Sequence, residues 1–482
     1  CMVIWQYVQF EHSYDTFFFN ANRVYRVNLA WGNAEQQERY ATAPPPLAET
    51  ILQEIPEAEA VARVYNWSDF TMRPDHDYNK IFRETNVYAA NAAFFKVFPY
   101  RLLEGDPATA LKEPVSVVMP RSTAVRYFGE EAVAKGNIVG RRIMGGKDAG
   151  TPWNVTAVIE DLPDNTHFQF DFLVSSNSYP DDLHRNQNWT WPIMHTYVRF
   201  REKLTGEELN KVQQKLNKIA ENHAIPQMQE EVGYFHFPLQ ALTDIHLNSD
   251  FLREMAPNGN LAYTHALTII SLFIMLLACI NYVNLFTAHA TIRAKEVGVK
   301  KVIGAEKKHL VLQFLTESVV LCSLATLLGL ALMKVFYIIS EKLFTDITLH
   351  HIWSNQQILT VGLGFAMAVG LLAGAYPALY MTRFRPVQVF KDNLSSSLQK
   401  ANMRNSLVVF QFIISIALIA ATIIVNLQVD YFKNKRRGFN KENVMIIQND
   451  REIEEQREVF KQALKTNPQV IQASFSNGIP GL

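Results

Sequence analysis

Four long apolar blocks, three of them without any charge, decide what this chain can fold into. Between Glu254 and Arg293 there is no Asp, Glu, Lys or Arg. The core of that window, Tyr263 to Leu285, is long enough to cross a hydrocarbon layer of about 30 Å. A second block, Leu310 to Ile339, carries Glu317 near one end and Lys334 near the other, both placed to snorkel toward an interface. A third block runs from Ile358 to Met381 and a fourth from Ser406 to Val429. Soluble core helices do not account for four such windows so close together, so the sequence predicts a helical membrane bundle. Hydrophobic residues make up 48% of the chain and charged residues 19%, which excludes a disordered protein.

Lys and Arg in the short loops set the orientation. Arg293, Lys295, Lys300, Lys301, Lys307 and Lys308 follow the first complete span. Arg383, Arg385, Lys391, Lys400 and Arg404 separate the third and fourth, whereas Lys342 stands alone between the second and third. The two basic loops are therefore expected in the cytoplasm, with the N-terminal region and the C-terminal tail outside. Lys433, Lys435, Arg436 and Arg437 disagree, but the rule is weak ahead of large translocated segments. The opening run Cys1-Met-Val-Ile-Trp5 reads as the tail of a truncated helix over residues 1–12. A lipidated N-terminal cysteine is disfavoured, because apolar and aromatic residues follow it. In the third span Ala366, Gly370 and Gly374 repeat at four-residue steps. That spacing lets helices approach closely, and packing within the bundle is preferred to a dimer seam. Pro377 is expected to kink the end of this helix.

Residues 13–258 read as an α/β (α+β) domain outside the membrane. Arg23–Asn28, Pro114–Met119, Trp153–Ile159, Phe168–Val174 and Thr196–Phe200 have strand patterns. Pro46–Glu54, Ser122–Phe128 and Thr205–His223 have helical ones. The Asn/Asp-rich interval near 175–195 marks an expected boundary between two subdomains. Lys+Arg and Asp+Glu are 46 each, so no basic excess points to nucleic acid. Cys1, Cys279 and Cys322 lie in apolar stretches and supply no disulfide framework. No nucleophile elbow, zinc motif or phosphate loop occurs, so no catalytic, cofactor or metal residue is assigned. His350-His351 reads as interfacial loop, Asp75-His76-Asp77 as a solvated turn, and Trp189–Tyr197 as subdomain core.

The two ends of the chain echo each other. Phe19-Asn-Ala-Asn-Arg-Val24 is matched by Phe439-Asn-Lys-Glu-Asn-Val444, and Leu52-Gln-Glu-Ile-Pro56 by Leu464-Lys-Thr-Asn-Pro468. A duplication is expected, with residues 430–482 starting a second outer domain and the sequence being a fragment.

The most informative stretch links the first two complete spans: Arg293-Ala-Lys-Glu296-Val-Gly298-Val-Lys-Lys301-Val-Ile-Gly304-Ala305, then Phe314-Leu-Thr-Glu317. It reads as a short basic helix broken at Gly298 and again at Gly304, with Arg293 and Glu296 on one face. Charge alone does not separate a partner-docking helix from an anionic-lipid anchor.

These residues resemble the FtsX-like permeases of MacB-type ABC transporters with a MacB-like periplasmic core domain. The same resemblance includes Gly374-Ala-Tyr-Pro377-Ala before Arg383-Phe-Arg-Pro386, Ser13-Tyr-Asp15 with Asn22-Arg-Val-Tyr25, and Asn405–Phe412. It looks most like the duplicated, Bacteroidetes-type members. It implies a periplasmic core domain over 13–258 and a permease domain over 259–392 with spans 263–287, 310–339 and 358–381. A cytoplasmic linker over 393–404 and a further span over 405–429 follow. It implies a non-catalytic inner-membrane subunit. ATP would be bound by a separate cytoplasmic ATPase docking on Arg293, Lys295, Glu296, Gly298, Lys301, Gly304, Ala305 and Glu317. Mechanotransmission to the periplasmic domain would then export or extract an amphiphile, peptide or lipoprotein, in an assembly that is dimeric or internally duplicated. The alternatives are a signalling module controlling an envelope enzyme or sensor, and a membrane-anchored adhesion domain without an ATPase.

Overall fold

The structure is a computed structural model. It describes residues 2–32, 37–67, 70–75, 77, 80–146, 150–178, 187–228, 234–288, 290–343, 357–382, 397–435, 443–447, 453 and 456–476. The chain divides into two compact units, Cys1–Asn393 and Leu394–Leu482.

The first unit opens with helix α1 (Met2–His12) and then builds a twelve-stranded mixed sheet. Across it the strands run Leu239–Ala241, Val24–Val27, His195–Phe200, Ala58–Asn66, Val87–Ala90, Phe172–Ser175, Ser116–Pro120, Thr151–Ile159, Arg142–Gly146, Phe70–Pro74 and Phe82–Glu84. Leu102–Gly105 pairs with Thr151–Ile159 off this path. The order exposes an insertion: the chain leaves the first half of the sheet after Asn66 and returns at His195. The two halves share a continuous sheet through Val64–Asn66 and Tyr88–Ala90.

Helix α2 (Leu47–Glu54), helix α3 (Arg121–Phe128) and helix α4 (Gly206–Ile219) cover the sheet. Leu47, Ala48 and Ile51 of α2 and Val212, Leu216 and Ile219 of α4 pack on Tyr25, Val61, Val198 and Phe200. Burying each such side chain contributes roughly 1.5–3 kcal/mol. The Glu208 carboxylate accepts the Thr205 N–H at 2.8 Å and closes the start of α4, and a π turn, Ala220–Ala224, continues its end. The expected strand Phe168–Val174 is a correction: only Phe172–Ser175 is strand. Phe168 and Phe170 are buried from a loop among Phe94, Phe98 and Tyr100, so their alternation reflects a core contact rather than a ladder.

Two buried polar networks tie this domain together, one around Asp15 and His167 and one around Arg26. Asp15, at φ 58°, accepts the Thr166 hydroxyl at 2.9 Å and faces His167 Nδ1 at 2.9 Å. His167 Nε2 lies 2.7 Å from the Tyr197 hydroxyl. Arg26, with a fully buried side chain, forks onto Glu254 at 2.5 and 2.7 Å and also reaches Gln240 and Ser249. Beside it His195 is buried, and burial, then the Arg26 charge, lowers its pKa to about 3.

Four further apolar helices and one basic helix follow. Helix α5 (Leu261–Ala288), helix α6 (Ala290–Val302), helix α7 (Lys307–Leu343) and helix α8 (Gln357–Thr382) belong to the first unit, and helix α9 (Ser397–Asn434) to the second. Leu261–Leu285, Lys307–Phe336 and Asn405–Asn434 are long and apolar enough to cross a membrane. The expected third span lies in α8, whose described apolar stretch is Gly362–Ala375; the helix itself has 26 residues. Large apolar side chains such as Leu272, Leu324, Leu328 and Leu372 point outward, uncovered by protein, which is stable in lipid and costly in water. Helix α9 already begins inside the expected linker 393–404, since Ser397–Arg404 contains neither Gly nor Pro. His350-His351, His76, residues 383–396 and 477–482 lie outside the described residues, as does the whole interval 179–186.

Candidate functional site

The basic helix α6 has 13 residues and starts directly after α5. It runs unbroken through Gly298, against the expected break there. The reason is tertiary: Gly298 is buried, and Val297, 2% exposed, is clamped by Leu310, Phe314 and Ala378. That packing outweighs a glycine penalty of about 1 kcal/mol. The helix ends at Gly304 instead, at φ 104°. The Gly304 N–H donates to the Lys301 carbonyl at 3.1 Å and the Ala305 N–H to the Lys300 carbonyl at 2.9 Å, the paired bonds of a Schellman turn. An added Cβ at Gly304 would meet nothing within 4 Å, so the dihedral alone requires glycine.

The helix therefore has two faces. Its inner side, with Val297 and the adjoining Ala305, packs on the first turns of α7 and the end of α8. Its outer side shows Val299 at 47%, Val302 at 68% and Ile303 at 80% exposure. Charges frame this apolar row. Lys300 holds Glu296 at 2.7 Å, Lys308 holds Glu306 at 2.8 Å, and Lys301 is half-buried. Lys307, Lys308, Val311, Leu312 and Leu315 line an adjoining shallow hollow. Lys295 sits on α6, its side chain outside the described residues.

Arg293 and Glu317 meet each other. The guanidinium donates to the two carboxylate oxygens at 2.7 and 2.6 Å, with the two side chains 35% and 33% exposed. The carboxylate beside Arg293 raises the guanidinium pKa further. Glu296, expected to share a role with Arg293, is paired with Lys300 instead. Next to Glu317, Ser318 Oγ lies 2.7 Å from the Tyr282 hydroxyl of α5. On α8 the small residues face α7: a Cβ at Gly374 would stand 2.5 Å from Ser318 Oγ, and one at Gly370 would stand 2.8 Å from Val319 Cα. Ala366 is 1% exposed, and α8 continues past Pro377 to Thr382.

At the outer end of the spans, α1 packs beside α5. Glu11, in the last turn of α1, lies 2.9 Å from His246 Nε2, and the Tyr14 ring stacks on His246. Gly259, just ahead of α5, is pressed against both groups; a Cβ there would stand 2.6 Å from Glu11 Oε2. The sequence reading missed this contact, the Arg26–Glu254 pair and the outward apolar row. Only the row leaves a local signal, as Val299, Val302 and Ile303 interleave with lysines. Among the described residues no group of three His, Cys, Asp or Glu is placed to hold a metal ion.

Comparisons with known proteins fit this geometry. The family model of the MacB-like periplasmic core domain matches residues 1–219, and that of the FtsX-like permease C-terminal matches residues 268–386. YvrN, an uncharacterised ABC transporter permease of Bacillus subtilis, is 24% identical over 74% of this chain and 81% of its own length. The macrolide export ATP-binding/permease protein MacB of Bdellovibrio bacteriovorus is 32% identical over 23% of this chain and 17% of its own length. The chain thus spans most of YvrN but under a fifth of that MacB. The solved periplasmic region of MacB from Actinobacillus actinomycetemcomitans aligns with 46% of this chain and 90% of its own, at 15% identity and a TM-score of 0.32. One family model thus spans most of the outer sheet and the other most of α5 to α8, so the chain is similar to a MacB-like periplasmic core domain over residues 1–219 and to an FtsX-like permease C-terminal domain over residues 268–386.

Proposed function

We propose that this chain is the inner-membrane subunit of an ABC transporter driven by a separate cytoplasmic ATPase that docks on the outer face of α6. The observation that carries the reading is the two-sidedness of this helix. One side is locked to the spans by Val297 and Ala305, while Val299, Val302 and Ile303 stand exposed beside basic residues. Exposed apolar surface costs roughly 25 cal/mol per Å² in water, so a row this prominent on a fixed helix suits a protein partner. Lys301, the Gly304 turn and Ala305 border the contact, with Lys295, Glu296 and Gly298 on the same helix. On this reading ATP is bound by the partner. ATP-driven closure of that partner would move α6 and the spans, and through the α1 and α5 junctions the periplasmic domain. The output is export or extraction of an amphiphile, peptide or lipoprotein at the outer leaflet.

The test is capture of the family's ATPase subunit by the full-length membrane protein in lipid nanodiscs. Val302→Glu together with Ile303→Glu is expected to weaken capture by about tenfold or more, as loss of a central apolar anchor does. Undiminished capture would reject the docking face and assign the row to the lipid surface instead.

A further inference from the structure

Three successive residues of α7 reach every neighbouring element on the cytoplasmic side of the bundle. Glu317 takes both guanidinium nitrogens of Arg293 on α6. Ser318 meets Tyr282 of α5 and lies against Gly374 of α8. Val319 lies against Gly370 of α8. Consecutive helical side chains point about 100° apart, so one turn can serve partners on different sides.

Helix α6 is held at both ends. Near its C-terminal end the cluster of Val297, Leu310, Phe314 and Ala378 is apolar and non-directional. Near its N-terminal end the Arg293–Glu317 fork is directional, because two parallel bonds fix orientation as well as distance. Apart from the fork, the orientation of α6 relies here on that non-directional cluster.

We propose that Arg293 and Glu317 form the strut that sets the angle of α6 against α7, so that a push on α6 reaches all three spans through residues 317–319. They are positioning residues: they orient the docking helix and do not touch its partner. One of the two readouts below rests on the docking reading, and the other does not.

The first uses the full chain in nanodiscs with Cys1, Cys279 and Cys322 replaced by serine and nitroxide labels on Val302 and Leu324, both exposed. The label–label distance distribution is expected to be narrow in the parent, about twice as broad or more in Arg293→Glu and in Glu317→Arg, and narrow again in the double swap. Unchanged widths in the single variants, or a double variant as broad as either, would overturn the strut. The second measures ATPase capture and permease-stimulated ATP turnover. Each single variant should retain capture within about threefold and lose turnover by about tenfold, and the swap should recover most of it. Loss of capture in step with turnover would make the pair a docking contact and overturn the positioning role. If the parent itself captures no ATPase, the docking reading falls, while the distance widths still decide the strut.

Discussion

Arg26 and Arg293 each grip a glutamate with both guanidinium ends, one ahead of α5 and one beyond it, yet their surroundings differ. Arg26 is 0% exposed and Glu254 13%, and Gln240 and Ser249 share the guanidinium. Arg293 and Glu317 are each about one-third exposed at the membrane face. A desolvated pair is costly to break, since either partner left alone is an uncompensated buried charge. A half-solvated pair opens and recloses cheaply. The same chemistry therefore fixes the segment leading into α5 with a desolvated pair at one end and holds α6 with a solvent-reached pair at the other.

The largest effect should come from Arg26→Met. It strands Glu254 and is expected to lower stability by about 3–5 kcal/mol, read as a fall in Tm of the detergent-solubilised chain. The matched Arg293→Gln should lower it by about 1 kcal/mol or less. Equal losses would dissolve the contrast between the forks. Next, Gly374→Val forces a side chain against Ser318, where even a Cβ stands 2.5 Å from Oγ. Overpacking of this kind costs about 1–3 kcal/mol, and proteolysis of the α7–α8 pair should quicken accordingly. Unaltered proteolysis would mean that the close approach at Gly374 is not needed.

The last effect is a pH slope. His195 beside Arg26 has its pKa lowered to about 3 by burial first and the Arg26 charge second, whereas the unfolded chain protonates the ring near pH 6.5. Between these values the unfolded state binds the extra proton. The contribution of neutral His195 is thus complete above about pH 6.5 and declines as pH falls toward 3. His195→Asn should flatten the slope of Tm against pH in that window. An unchanged slope would remove His195 from the account of the Arg26 site.

Three of the four expected spans, the basic helix and its stop at Gly304 were legible because each is written in local composition: apolar windows, clustered lysines, and a glycine where the backbone turns left-handed. What was not local was not legible. Gly298 looks like a breaker until Leu310, Phe314 and Ala378 clamp its neighbour Val297. Phe168 and Phe170 alternate like a strand but fill a core built from residues 94–100. Arg26 sits in a strand pattern that gives no hint of full burial, and its partner is 228 residues away. Arg293 and Glu296 share a helical spacing, yet their carboxylate and lysine partners are Glu317 and Lys300. The insertion between Asn66 and His195 is invisible for the same reason, since strand order is a property of pairing between distant segments.

That insertion also dictates a timetable. Among the described residues the strand Val24–Val27 pairs with His195–Phe200 and Leu239–Ala241, so as the chain emerges from its N-terminal side this strand waits for both partners. Such long-range pairing is slow and leaves an unpaired edge open to other chains in the meantime. The last fastening, Glu254 onto Arg26, arrives just before α5 begins at Leu261. Completion of the periplasmic domain thus needs the chain to within a few residues of α5, and a chain cut short ahead of Glu254 would leave Arg26 buried without its counter-ion.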